Sequence, residues 1–217
     1  MINALGYIFD LDGTLAISQH FHYIAYNAVL IKHGIKYTRD EDIATYAGQG
    51  SEKIFPKIFA ANGITLSAEE TGKLVMEKRE AYQNLIEKAE IFPVPGVKDF
   101  LETIKDRKKI IATGNRKLPS EIILKKTGLQ GYFSEMVTVE DVKEPKPSPE
   151  TFLLALGKLQ INPDQCIIFE DAINGVHAAK ASGIECIGIT TSFSAGELLE
   201  AGAKRAIGDY RELLTDN

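Results

Sequence analysis

Short apolar runs that alternate with helix-length stretches constrain this chain more than any other feature. Ile110-Ile111-Ala112-Thr113, Met136-Val137-Thr138-Val139, Cys166-Ile167-Ile168-Phe169 and Ile184-Glu185-Cys186-Ile187-Gly188-Ile189 read as strands, and Arg205-Ala206-Ile207 as an added edge. Runs this apolar are buried on both faces, and strands separated by helices pair in parallel through crossovers, so the rhythm predicts an α/β fold with a parallel sheet. Helix signals fill the intervals. Pro119 opens one helix and Gly128 closes it, Ser148-Pro149 opens another, Asn162-Pro163 makes a short turn, and Gly183 ends the next helix.

A further strand, Leu5-Gly6-Tyr7-Ile8-Phe9, stands apart from the others. Between it and the alternating region, residues 18 to about 90 predict several helices and no strand. Phe21, Ile24, Ala25, Ala28 and Ile31 are spaced for one helical face that Gly34 ends. Thr38 with Glu41, and Ser67 with Glu70, have capping-box spacing, and Gly63 closes the helix between them. Phe92-Pro93-Val94-Pro95-Gly96 then makes a stiff connection, read as a hinge or domain boundary. The expected organisation is an α/β core over 1–16 plus 92–217 and a helical domain over 17–91, inserted after strand one. An insertion there rises from the carboxyl edge of the sheet, where open α/β folds bind ligands.

Composition narrows the partners. A chain of 217 residues with 44% hydrophobic residues buries a core without help, and a net charge of −5 is a poor match to nucleic acid. Basic runs such as Arg107-Lys108-Lys109 and Lys125-Lys126 read as solvated helix faces. Cys166 and Cys186 lie in separate apolar stretches without metal-ligand spacing, which predicts buried thiols and a reducing compartment. No stretch has the length of a membrane span and no basic, apolar leader precedes the first strand, so the expectation is a cytoplasmic protein, a monomer or weak homo-oligomer.

The chemistry gathers at predicted strand ends. Directly after Phe9 comes Asp10-Leu11-Asp12-Gly13-Thr14-Leu15, a pair of carboxylates on a glycine-permitted turn. With the small Thr14 leaving backbone N–H groups open to an anion, a phosphate joins two carboxylates only if a hard divalent cation accompanies it, and magnesium is the expected ion. A plain turn with capping side chains is the ordinary alternative. Thr113-Gly114 ends the Ile110 strand; Lys146 sits among the prolines of Lys143-Glu144-Pro145-Lys146-Pro147-Ser148-Pro149; Glu170-Asp171 closes the Cys166 strand. Taken singly, these read as a turn residue, a surface lysine and a helix N-cap. Their common placement at or after strand ends is what sets them apart.

In these four motifs, Asp10 to Leu15, Thr113-Gly114, Lys146-Pro147 and Glu170-Asp171, the chain resembles the haloacid dehalogenase superfamily of phosphotransferases across essentially its whole length. The helical insertion looks like the small cap of the branch holding sugar-phosphate phosphatases and beta-phosphoglucomutase. The resemblance implies a Rossmann-like sheet of order 3-2-1-4-5 and a cap that closes to exclude water. It also implies a division of labour: Asp10 as nucleophile, Asp12 as general acid and base, Thr113 and Lys146 on the phosphoryl oxygens. Magnesium would take the Asp10 carboxylate, the Asp12 backbone carbonyl and Asp171, with Glu170 either a direct ligand or the orienter of a metal-bound water.

Details within the motifs point to a branch. Asp12 supplies a proton donor that haloacid dehalogenases proper do not need and phosphonate hydrolases replace. In the loop Tyr46-Ala47-Gly48-Gln49-Gly50-Ser51-Glu52-Lys53, the resembling mutases carry an arginine where this chain has Ser51. Without that guanidinium a bisphosphate loses its bidentate anchor, unless Lys53 or Arg116 substitutes, and hydrolysis is favoured. Gly48, Gln49, Gly114, Asn115, Arg116 and His22 are candidate substrate contacts; His22 is equally a hinge or an ordinary helix residue, and Asn115 and Arg116 equally loop residues. The expected activity is a magnesium-dependent phosphatase of a small phosphorylated metabolite, preferably a sugar phosphate. A hexose-phosphate mutase is the alternative, and a non-catalytic binding module is the third reading.

Overall fold

The computed structural model of the chain describes residues 4–39 and 50–215. Its elements run β1 (Gly6–Phe9), α1 (His20–Leu30), α2 (Ser51–Ala61), α3 (Ala68–Lys88), α4 (Val97–Thr103), β2 (Lys108–Ala112), α5 (Lys117–Thr127) and β3 (Met136–Val137). They continue with α6 (Glu150–Leu159), β4 (Cys166–Glu170), α7 (Ile173–Ser182), β5 (Glu185–Ile189), α8 (Ala195–Ala201), β6 (Arg205–Ile207) and α9 (Arg211–Leu214). The chain divides into two compact units, Met1–Ser18 with Ile91–Asn217 and Gln19–Glu90.

The first unit is built on a sheet of six parallel strands in the order β3-β2-β1-β4-β5-β6. This is the expected order with the Arg205 strand as the extra edge. β1 is central, with Phe9 opposite Ile111 on one side and Phe169 on the other. All four of its residues are buried, as a strand with helices over both faces must be. Tyr7 and Phe9 fall on one face and pack with Phe100, Phe169 and Tyr210; the rings of Phe9 and Phe169 lie parallel at 5.1 Å, and Phe100 meets Phe169 edge-on at 5.4 Å. The strand order reverses between β1 and β4, so helices leave to opposite faces there and open a crevice at the carboxyl ends of these two strands.

The second unit has its own core, in which Tyr26, Val29 and Leu30 of α1 meet Ile54, Phe55, Ile58 and Phe59 of α2 and Leu74 and Val75 of α3. Among its described residues there is no strand. The Ser67–Glu70 capping box is formed, whereas Glu41, partner in the other predicted box, lies outside the described residues.

Three expectations are corrected. The buried stripe of α1 is Phe21, Ala25, Tyr26, Val29 and Leu30, while Ile24 and Ile31 are 38% and 73% exposed and Ala28 is exposed. Both stripes have helical spacing, and the larger Tyr26, Val29 and Leu30 outweigh two isoleucines in the choice of buried face. The strand at Met136 stops after two residues because Thr138 turns the chain: its N–H and hydroxyl bond Asp141, starting a 3-10 turn over Val139–Asp141. Asp171 is no N-cap, since α7 starts at Ile173 with Ala172 in that place.

Candidate active site

The β1–β4 crevice is where the chain has placed its carboxylates. The Asp10 N–H still bonds the Phe169 carbonyl at 3.0 Å, extending the ladder one residue past β1, so Asp10 leaves the sheet beside β4. The next residues wind tightly: the N–H groups of Leu15 and Ala16 both reach the Leu11 carbonyl, at 2.9 and 3.0 Å, and Gly13 adopts φ +80°. A Cβ on Gly13 would overlap the Asp171 carboxylate, and one on Gly175 would overlap Glu170, so two glycines let the acidic pair approach backbone. The anion cradle expected at this turn is altered in part: the Gly13 N–H is taken by the Ala16 carbonyl at 2.7 Å, and the Thr14 hydroxyl donates to Asp171 at 3.3 Å.

Lys146 reaches this edge from the loop before α6. Its Nζ donates to Asp10 Oδ1 at 2.7 Å, Glu170 Oε2 at 2.7 Å and the Ala112 carbonyl at 3.0 Å, and lies 4.5 Å from the centre of the Phe152 ring. Burial acts to lower its pKa, but the carboxylates of Asp10 and Glu170 outweigh that and hold it above the ordinary lysine value. Glu170 also accepts the N–H groups of Asp171 and Ala172 through its other oxygen, at 3.3 and 3.1 Å. One ammonium thus stands in a cluster with three buried carboxylates, and the shortfall of positive charge shows in the acidity of Asp10 and Asp171. Burial, reinforced by Glu170 against the pull of Lys146, pushes Asp10 up to about 8. Burial and the charges of Glu170 and Asp10 hold Asp171 well above the carboxylate range, despite a hydroxyl donated by Ser192.

The ligand atoms of Asp10, Glu170 and Asp171 lie within 4.8 Å of one another. An all-oxygen, net-negative, buried set of this kind suits a hard divalent cation. The Asp12 carboxylate, expected nearby, is held elsewhere: Ser18 Oγ donates to Oδ1 at 2.5 Å and Asn115 Nδ2 to Oδ2 at 2.9 Å.

Of the other predicted residues, Thr113 is buried at the end of β2 with its N–H on the Val137 carbonyl, and its hydroxyl accepts the Asn115 N–H at 3.0 Å. Gly114 has open space where a Cβ would stand. Arg116 is turned onto Glu140, through Nε at 2.9 Å and Nη2 at 2.7 Å. His22 belongs to the helical unit, where it stacks on Tyr82 and its Nδ1 lies 2.9 Å from Lys78 Nζ. Gly48 and Gln49 lie outside the described residues.

Sequence reasoning missed four residues here. Ser18 and Ser192 hold Asp12 and Asp171, and Thr191 donates to the Gly13 carbonyl at 2.5 Å, so the loop after β5 braces both the first and last motifs. Lys78, 6% exposed, lies 4.8 and 4.9 Å from the ring centres of Tyr26 and Tyr82. It had a readable signal, since it shares the apolar stripe of Leu74, Val75, Tyr82 and Ile86 along α3. The serines and the threonine had none, because small hydroxyl residues in loops are ordinary.

Comparison with known proteins follows the same lines. Residues 7–189 match the family of haloacid dehalogenase-like hydrolases. The chain is similar to a phosphorylated carbohydrates phosphatase of Thermotoga maritima, 35% identical over 90% of each chain. It is similar also to the fructose-1-phosphate phosphatase YqaB of Escherichia coli, 32% identical over 85% of this chain and 95% of that one. Among solved structures, a putative beta-phosphoglucomutase from Bacteroides vulgatus superposes with a TM-score of 0.84 at 26% identity, covering 98% of this chain and 86% of the other.

Proposed function

The chain belongs to the haloacid dehalogenase-like hydrolases, and on that premise we propose that it is a magnesium-dependent phosphatase of a small phosphorylated carbohydrate, working through an aspartyl-phosphate. One observation carries the reading: Asp10 and Asp12, two residues apart, have separate surroundings suited to separate tasks. Asp10 stands in the charged cluster with an oxygen on Lys146, as a nucleophile facing a phosphoryl group requires. Asp12, two residues on, takes a hydroxyl from Ser18 and an amide from Asn115 on its carboxylate, as a group that passes a proton requires.

The steps follow from these places. An Asp10 oxygen attacks phosphorus, the bond to the sugar oxygen breaks, and Asp12 gives that oxygen its proton. Asp12 then takes a proton from water, whose oxygen displaces the phosphoryl group from Asp10 and releases inorganic phosphate. Lys146 and the Thr113 hydroxyl bind the phosphoryl oxygens throughout. Asp10, Asp171 and the Asp12 carbonyl would hold magnesium, which would supply the positive charge that a phosphate dianion needs beside carboxylates. Glu170, whose two oxygens are already engaged, fits the part of orienting a metal-bound water. The helical unit takes the part of a cap that excludes water in the first step and admits it in the second. The two buried free thiols suit a reducing, cytoplasmic setting.

Likeness to a putative beta-phosphoglucomutase favours a second reading, a hexose-phosphate mutase. Against it stands Ser51, in place of the mutase arginine, with its hydroxyl on Tyr26 at 2.8 Å. A phosphate-release screen over sugar phosphates, nucleotides and glycolytic acids with magnesium decides the matter. The phosphatase reading expects release from a sugar phosphate, abolished in Asp10→Asn. Isomerisation of a beta-hexose 1-phosphate, primed by a bisphosphate and with little net release, would establish the mutase instead.

A further inference from the structure

We propose that Asn115 is a positioning residue for Asp12: its amide holds the carboxylate in line for proton transfer and apart from the acidic cluster, instead of binding substrate. The inference rests on the phosphatase reading above and assigns a task to a residue that its place after Thr113 alone would make a phosphate contact.

Three observations support it. The Asn115 side chain and Asp12 are both buried, 7% and 6% exposed, and meet at 2.9 Å across 103 residues of sequence. The nitrogen of the Asn115 amide has donors and no acceptor, so facing a carboxylate it acts in one sense. Its backbone is fixed on both sides, the N–H on the Thr113 hydroxyl at 3.0 Å and the carbonyl accepting the Val139 N–H at 3.1 Å, so the side chain projects from a rigid base.

The Asp12 carboxylate needs that base. It sits on a tight turn two residues past Asp10, and Asp10 and Glu170 already share the Lys146 ammonium. A carboxylate free to rotate would be drawn toward the lysine or a bound cation and lost to proton transfer. Ser18 on Oδ1 and Asn115 on Oδ2 together fix both the direction and the plane of the group. Orientation of this kind is where a positioned acid gains its rate.

The experiment exploits leaving groups. p-Nitrophenolate departs with little protonation, whereas the sugar alkoxide of fructose 1-phosphate needs a proton as it leaves. With magnesium present, Asn115→Leu, which keeps the volume, and the smaller Asn115→Ser should each lower kcat/KM for fructose 1-phosphate roughly 10- to 100-fold. The same variants should change kcat/KM for p-nitrophenyl phosphate less than about 3-fold and melt cooperatively. In an Asp12→Ala background, adding Asn115→Leu should cost less than about 2-fold more, because its route of action is gone. Equal losses on both probes, losses that multiply with Asp12→Ala, or no loss at all would overturn the assignment. A wild type that turns over the probes and is silenced by Asp10→Asn, with no such split at Asn115, sinks this inference alone. Where the screen finds another sugar phosphate preferred, it replaces fructose 1-phosphate as the alkoxide probe. A wild type that releases phosphate neither from p-nitrophenyl phosphate nor from any sugar phosphate of the screen takes the phosphatase reading with it.

Discussion

Among the described residues the side chains of Lys146 and Lys78 are both withdrawn from solvent, and the two units surround them differently. Lys146 in the α/β unit is met by the carboxylates of Asp10 and Glu170, each at 2.7 Å. Lys78 in the helical unit is met by the rings of Tyr26 and Tyr82 and by the His22 imidazole. Charge set against charge makes every member depend on the others, because a carboxylate left without its cation is a buried charge with only neutral donors to offset it. Charge set against rings is a local arrangement, worth about 0.5–2 kcal/mol per contact, that an apolar side chain can replace. The difference separates a site whose electrostatics are under load from a core that tolerates a cation.

The sharpest way to break this contrast is Lys146→Met. It removes the proposed ligand of the phosphoryl group and the ammonium shared by Asp10 and Glu170, so phosphate release should fall by about a thousandfold or more and stability by about 3–5 kcal/mol. Urea unfolding beside the activity assay reads both. A variant as stable as wild type would mean that the carboxylates do not depend on the ammonium.

Next in size is the response to magnesium. At a hundred times its Kd the cation should add about 2.7 kcal/mol of stability, raising Tm by roughly 5–10 °C for a chain of this length. Asp171→Asn should remove most of that rise and Lys78→Met none of it. A rise unchanged in Asp171→Asn would place the cation elsewhere.

The same contrast explains what could be read from the sequence. Strands whose residues are apolar on both faces announced the sheet, and strand ends marked by Asp10, Thr113, Lys146 and Glu170-Asp171 announced where polar groups collect, because a parallel sheet brings all its carboxyl ends to one edge. Partnerships across that edge were not legible. Nothing local to Asn115 or Ser192 says that their side chains meet Asp12 and Asp171, since those meetings depend on how two loops fold toward each other. In the helical unit the periodicity was readable, but α1 offers two apolar stripes, and the one that carries the larger Tyr26, Val29 and Leu30 is the one packed in the core with residues of α2 and α3. The two-residue β3 shows a hydroxyl overriding β-propensity, as Thr138 turns the chain where its apolar neighbours would have carried the strand on.

Lys78→Met tests the other half of the comparison and should have a modest effect. Methionine matches the stem in length and loses the ring contacts, while the cost of burying an ammonium goes with the charge. Stability should therefore move by no more than about 1–2 kcal/mol in either direction. A loss as large as that of Lys146→Met would show that the helical unit depends on its buried cation just as strongly.

The smallest effect concerns carboxylates. Burial raises Asp10 and Asp171 in the α/β unit, whereas on the surface of the helical unit the Ser67 N–H, and then its hydroxyl, hold Glu70 below the ordinary glutamate value. A carboxyl whose pKa is lower in the folded state stabilises the fold above its unfolded pKa and loses that contribution as pH falls through the folded one. Wild type should therefore melt slightly above Glu70→Gln at neutral pH, and the gap should close as pH drops below about 4. Glutamine keeps the length and a carbonyl for the Ser67 N–H, so the gap reports the charge and not the cap geometry. A gap that persists unchanged to pH 2 would mean that the capping box acts by shape alone, and the opposed behaviour of carboxylates in the two units would then rest on burial in one of them without a charge effect in the other.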